Sequence, residues 1–245
     1  MLKPLADDLY ALEDSVRLPF GISMPSRATV VRLAQDRLVV ISPTAIDDTR
    51  ARAIDALGEV TAVVAPNVMH NLFFSAAAQR WPKARVFAPP SIAKKVKGLD
   101  FTPLGGGGDD PFGGELIARR VDGVPGIDEH VFFHPRSRTL VVTDLVFNVH
   151  AASSWSTRLL FRMVGAWKKL ETSRSWRFVT KDRDAAAASV ADILGWDFDR
   201  LVMAHGDVVA QSAYAPFAHA VRWLANGKVP PRLAAPAPRE TVTTA

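Results

Sequence analysis

The amino-acid sequence predicts a layered α/β domain, and three observations lead there. Short apolar runs of β character alternate with segments at helical spacing. Two β-rich parts enclose a helical excursion at residues 155–194, and the apolar strands end in polar loops.

Taken in chain order, residues 29–33 and 38–41 are apolar, β-branched runs on either side of Ala34-Gln35-Asp36-Arg37, the pattern of a hairpin with a polar turn. Ser42-Pro43-Thr44 ends the second strand, and residues 47–57 have a helical pattern closed by Gly58. A buried strand follows at 60–64, then a loop at 66–70, a helix at 71–81, and a short strand at 85–88 stopped by Pro89-Pro90. The glycine tract at 105–110 lacks the Gly-Lys-Ser/Thr ending and the following helix of a phosphate-binding loop, so it predicts a flexible turn between strands. Residues 116–118 and 130–133 return to β, and a turn at 135–138 leads into the apolar run at 139–148. Within the excursion Leu159, Leu160, Met163 and Trp167 stand at helical spacing. A strand at 200–204 turns at His205-Gly206, and an amphipathic helix occupies 214–225. This organisation predicts one domain over 1–228 and a disordered Pro- and Thr-rich tail at 229–245.

Composition narrows the chemistry. With 48% hydrophobic residues in 245, the chain can bury a sizeable core. There is no cysteine, which excludes disulfides, thiolate metal sites and a cysteine nucleophile and leaves His, Asp and Glu as the metal ligands. The formal charge is +5, but the basic residues are scattered. The densest groups, Lys94-Lys95-Val96-Lys97 and Lys168-Lys169 with Arg174, Arg177 and Lys181, read as solvated helix faces, so neither nucleic acid nor a membrane is an expected partner. The acidic start at Asp7-Asp8 is unlike a secretory signal, and no apolar run is long enough to span a bilayer, so a cytoplasmic location is the expectation.

The chemistry-bearing features are few. An apolar run delivers Asp144 to its carboxyl end, and much later a second apolar run ends in Ala204-His205-Gly206-Asp207, a way in which metal sites are built on β scaffolds. Each residue also has a plainer reading. His70 stands at a loop-to-helix junction, where it could be a cap; Asp144 could cap a turn or pair with an arginine; His205 could serve only its turn. His130, His134, His150 and His219 read as structural or exposed.

Four pieces carry a family resemblance: residues 63–73, 129–134, 143–148, and 196–200 through 203–207. In order and spacing they resemble the metallo-β-lactamase superfamily, and in detail an uncharacterised bacterial group within it. The resemblance implies a four-layer αββα sandwich with a metal site on the edge where two sheets meet. It also implies that the metal motif is degenerate. Where that superfamily's hydrolases have a His-x-His-x-Asp-His loop, this chain has Pro66-Asn67-Val68-Met69-His70-Asn71, so His70 stands in place of the Asp, and the later Gly-His-Thr turn is replaced near Pro125. Asp144 corresponds to the bridging carboxylate and His205 to the late histidine, while Glu129, rather than the adjacent Asp128, takes the family's acidic position. The ligand set is then His70, Glu129, Asp144 and His205 around one divalent ion, zinc or alternatively iron or manganese, with Asn67 and Asp207 near a small-molecule substrate. The helical excursion would cover the pocket mouth and set substrate size, with Lys168, Lys169 and Arg174 beside an anionic ligand. Two functions remain open: a single-metal hydrolase that activates water, and an inactive scaffold that binds a small molecule or partner.

Overall fold

The computed structural model describes residues 1–105 and 111–227. Most of the glycine tract, residues 106–110, and the whole tail at 229–245 lie outside the described residues.

The first sheet holds strands β1 (Leu2–Ala6), β2 (Leu9–Leu18), β3 (Ile22–Arg32), β4 (Arg37–Ile41), β5 (Glu59–Val64), β6 (Arg85–Ala88) and β7 (Thr102–Pro103), side by side in chain order. Its first four strands are antiparallel neighbours and its last four run parallel. The second sheet has β8 (Ile117–Arg120), β9 (His130–His134), β10 (Thr139–Val141) and β11 (Arg200–Val202), in the order β11-β10-β9-β8. Among the described residues there are six α-helices: α1 (Asp48–Asp55), α2 (Phe74–Arg80), α3 (Trp155–Met163), α4 (Trp176–Val179), α5 (Arg183–Leu194) and α6 (Tyr214–Val221).

The strands are apolar on both faces because both faces are covered. Val39, Ile41, Ala62 and Val64 of the first sheet meet Phe132, Val141 and Val202 of the second in an apolar layer between the sheets. On the outer face of the first sheet Val40 and Val63 pack under Ala51 and Ile54 of α1 and Phe74 and Ala77 of α2. On the outer face of the second, Val131, Leu140 and Leu201 pack under Val190 and Ile193 of α5 and Phe217 of α6. The result is the four-layer αββα sandwich.

Local departures from the sequence pattern have identifiable causes. The predicted helix at 71–81 begins only at Phe74, since the Asn67 side-chain carbonyl accepts the backbone N–H groups of Met69 and His70 at 2.7 and 2.9 Å and holds the preceding turn out of the helix. The run at 139–148 stays in the sheet only to Val141; beyond it the Val142 N–H reaches Val202 and the next three N–H groups find a side-chain acceptor. Of the long β1–β2–β3 meander only the end of β3, within the run at 29–33, was anticipated, with its hairpin to β4. Among the described residues no helix is long and apolar enough to cross a membrane.

The His205 turn depends on close backbone approach. Gly206 has φ 104°, and a Cβ there would lie 2.2 Å from the Asn148 carbonyl oxygen. Gly206→Ala is therefore expected to destabilise the protein by about 2–4 kcal/mol, read from urea denaturation. An unchanged midpoint would show that the 148–206 contact is dispensable.

Candidate metal centre

Three loops meet at the edge of the sandwich, and each brings one polar side chain. His70 comes from the loop after β5, Asp144 from the turn after β10, and His205 from the turn after β11. One ligand atom from each lies within 4.8 Å of the others.

The Asp144 carboxylate lies between the two imidazoles, with His205 Nε2 at 3.2 Å from Oδ1 and His70 Nε2 at 3.4 Å from Oδ2. Burial works to raise the Asp144 carboxyl, but the two histidines outweigh it and hold the group well below the usual carboxylate range. For His205 burial opposes the charged imidazole, and the Asp144 carboxylate overcomes this and raises its pKa.

The remote nitrogen of each ring is fixed. His205 Nδ1 lies 2.6 Å from the Pro25 carbonyl oxygen. A carbonyl only accepts, so Nδ1 carries a proton and donates it, and in the neutral ring Nε2 keeps a lone pair facing the centre. Pro25 can offer its carbonyl because β3 has outrun β4 there: the β3–β4 ladder begins only at Thr29, so this side of the strand is an edge. His70 Nδ1 is paired with the Ser42 hydroxyl at 2.6 Å, immediately after β4. Phe147 stacks on the His205 ring at 5.2 Å between centroids and 7° between planes.

Glu129 does not join this group, contrary to the expectation of a fourth ligand. It is fully buried beneath the Asp144 turn, where Oε1 accepts the N–H groups of Thr143 (2.8 Å) and Leu145 (3.1 Å), and Oε2 accepts those of Asp144 (2.9 Å) and Asn67 Nδ2 (3.2 Å). Four donors leave it no free lone pair to aim outward. Burial and the neighbouring Asp144 charge push its carboxyl up to about 7, against the pull of the three backbone donors. The adjacent Asp128 turns away to Arg120 Nε at 2.7 Å and to the Ser91 hydroxyl.

Asn67 also lies elsewhere than expected. It is completely buried, and its Nδ2 donates to Asp144 Oδ2 at 2.8 Å, so it orients the carboxylate from behind and has no access to a substrate. Asp207 lines a separate cavity with Glu13, Arg27 and His150, on the other side of the His205 turn. The cavity that opens onto His70, Asp144 and His205 has a volume of about 310 Å³. Its walls are Val16, Leu18 and Met24 of the β2–β3 hairpin and Met69, Leu72 and Phe73 of the loop before α2.

No residue of the helical excursion lines this cavity, so the expected lid is absent; Lys169 and Arg174 border a different hollow, with Arg177 and Arg222. The hairpin wall, Ser42 and the Pro25 carbonyl went unnoticed in the sequence. The signal that could have revealed the strand carrying part of that wall is the alternation of Leu12, Val16 and Leu18 with Glu13, Ser15 and Arg17, broken at Asp14.

Glu129→Gln tests the buried carboxylate. An amide in its place turns one acceptor into a donor against N–H groups that cannot move, so about 2–4 kcal/mol of stability is expected to be lost in urea denaturation. A variant as stable as the parent would show that the turn does not depend on this acceptor.

Comparison with known proteins agrees with this architecture. A family profile described as a domain of unknown function (DUF4336) matches residues 6–93, and no curated protein matches the chain. The metallo-β-lactamase FIM-1 from Pseudomonas aeruginosa in its mono-zinc form aligns over 94% of this chain and 96% of its own, with a TM-score of 0.58 at 13% identity. A metallo-β-lactamase from Pontibacter korlensis aligns over 92% of this chain and 99% of its own, with a TM-score of 0.62 at 12% identity. The metal-soaked flavodiiron core Flv1 from Synechocystis sp. PCC6803 aligns over 91% of this chain and 60% of its own, with a TM-score of 0.62 at 12% identity. At such identities the likeness concerns the fold and not the chemistry. The layers, the sheet order and these neighbours together establish that the chain has the metallo-β-lactamase fold.

Proposed function

We propose that this protein is a metal-dependent hydrolase that holds one divalent ion between His70 Nε2, His205 Nε2 and the Asp144 carboxylate. The observation that carries this reading is the convergence of two imidazole nitrogens on a buried carboxylate, one of them with its lone pair fixed inward by the Pro25 carbonyl. Ligand atoms about 2 Å from an ion stand about 3–3.5 Å apart around it, close to the 3.2 and 3.4 Å separations at Asp144, while the three ligand atoms together spread over 4.8 Å, so the site would tighten on binding an ion. Zinc suits two nitrogens and an oxygen, as do iron and manganese. Such an ion supplies Lewis acidity and an acidified water.

The protein's own groups prepare the site. Pro25 sets the His205 tautomer, Ser42 orients His70, and Asn67 fixes the Asp144 carboxylate, the kind of outer contact that tunes ligand basicity. Three side chains leave the cavity side open, and its apolar walls suit a small substrate with an apolar part beside a hydrolysable carbonyl or phosphoryl group.

One observation favours a binding scaffold instead. Asp144 is already engaged by Asn67, and a His205 ring protonated on both nitrogens, as its raised pKa favours, would donate to Asp144 as well as to Pro25, so in that form the cluster is satisfied without an ion.

Metal analysis of protein purified without chelator separates the two. The hydrolase reading expects about one equivalent per chain, lost in His205→Ala while the fold persists, and weakened about tenfold or more in Asp144→Asn. An ion supplied at a hundredfold its Kd should add about 2.7 kcal/mol of stability. In a screen of ester, lactone and phosphodiester substrates, activity should disappear with the metal. A folded, metal-free protein whose melting temperature ignores zinc, manganese and iron would leave the scaffold.

A further inference from the structure

The tip of the β2–β3 hairpin and the outer face of α3 present large apolar side chains to solvent. Phe20, in the turn between the strands, is 91% exposed, and its backbone has φ 63° and ψ 24°, a left-handed conformation that a bulky residue adopts only under constraint. An aromatic side chain held there gains nothing from the protein's own core. On α3, Trp155, Leu159 and Met163 follow one another at four-residue spacing, and Trp155 and Met163 are 69% and 65% exposed.

The two elements form one surface. Ser154 and Ser156 hydroxyls donate to the Gly21 carbonyl at 2.9 and 3.0 Å, and the Ser23 N–H donates to Thr157 Oγ1 at 2.8 Å, which pins the start of α3 to the hairpin tip. Exposed Leu18, Met69 and Leu72 continue the apolar face to the mouth of the cavity above His70 and His205.

The charged side chains of α3 itself are all positive, and the nearest acid in sequence, Glu171, is paired with Lys169 and Arg222. Arg158 and Arg162 are exposed on α3 beside the apolar stripe, and Arg174 reaches the Met163 carbonyl at 3.4 Å. Residues 145–170 contain no Asp or Glu. Among the described residues neither Arg158 nor Arg162 forms an ion pair. The basic residues look scattered in the sequence, and the fold sets several of them around an apolar patch.

We propose that this face docks on an anionic lipid surface, with Phe20, Trp155, Leu159 and Met163 entering the interfacial region and Arg158 and Arg162 meeting lipid phosphates. Apolar side chains flanked by unpaired arginines are what such a surface attracts. A second copy fits less well, because a two-fold contact would set the Arg158 and Arg162 pairs against one another with no acid on α3 to offset them. If the site is hydrolytic, the apolar part of an amphiphile could pass along Leu18 and Leu72 into the cavity; that consequence rests on the function proposed above, and docking itself does not.

Co-sedimentation of the full chain with vesicles tests it, using phosphatidylcholine alone and phosphatidylcholine mixed equally with phosphatidylglycerol. Binding is expected to the mixed vesicles, to weaken with salt, and to be slight on phosphatidylcholine. Arg158→Gln and Arg162→Gln should each weaken it about fivefold, and Phe20→Ser and Trp155→Ser, at exposed positions that the core does not need, about tenfold or more. His205→Ala should bind as the parent does, so a failed metal reading leaves this result standing. Absence of binding to either vesicle, equal binding to both, or binding indifferent to Phe20 and Trp155 would overturn the proposal. A dimer in sedimentation velocity that Phe20→Ser disperses, with no vesicle binding, would make the face a protein interface instead.

Discussion

The candidate site depends on how the chain leaves the second sheet. After the Val142 N–H has reached Val202 the backbone leaves its neighbours, and three successive N–H groups, from Thr143 to Leu145, enter the interior without a strand to receive them. Unpaired, they would cost more than most side-chain contacts return. One buried carboxylate, Glu129, accepts all three, which closes the turn and leaves the Asp144 side chain pointing out of it. Asn67 ties the same arrangement to the loop after β5 by donating to Glu129, Thr143 and Asp144. Two loops from different sheets are thereby held in register at one point.

Acidic side chains at this edge are divided by depth. Glu129, surrounded by donors, stabilises backbone; Asp144, one turn above it, has oxygens left for the histidines. Their charges oppose each other across the turn, which is one reason the Glu129 carboxyl is raised while the two imidazoles keep Asp144 low. The first sheet contributes the remaining order through backbone and hydroxyl groups that carry no charge: the Pro25 carbonyl and the Ser42 hydroxyl each bind the remote nitrogen of a histidine. The same hairpin that supplies Pro25 also forms one wall of the cavity and carries Phe20 at its tip, so the orientation of His205 and the apolar approach to it share one structural element.

Much of the architecture was legible in the sequence because burial leaves a periodic trace. Strands covered on both faces, such as β4 and β5, read as continuous apolar runs, and α1 is capped by Asp47, whose side chain accepts the Arg50 N–H, and ends before Gly58. His70, Asp144 and His205 were also legible, since each follows an apolar run. What stayed hidden was non-local. The β1–β2–β3 meander has half-exposed strands of mixed composition, held in place by pairing with one another. Helix α3 has the periodicity of a core helix, yet Trp155, Leu159 and Met163 face solvent while Thr157 and Phe161 are buried.

The sequence by itself determined a layered α/β domain, most of its apolar strands and the absence of cysteine, because these follow from composition and periodicity, while the four layers and the candidate ligand positions came from a resemblance in motif order. Only the tertiary structure decided what each acid does. Glu129 and Asp144 are the same functional group at the ends of similar strands, and nothing local distinguishes them. Backbone donors from a segment 14 residues away claim the first, and imidazoles from segments more than 60 residues away, at His70 and His205, flank the second. Hydrogen-bond competition of this kind is settled when distant segments meet, and so it leaves no periodic trace in the chain.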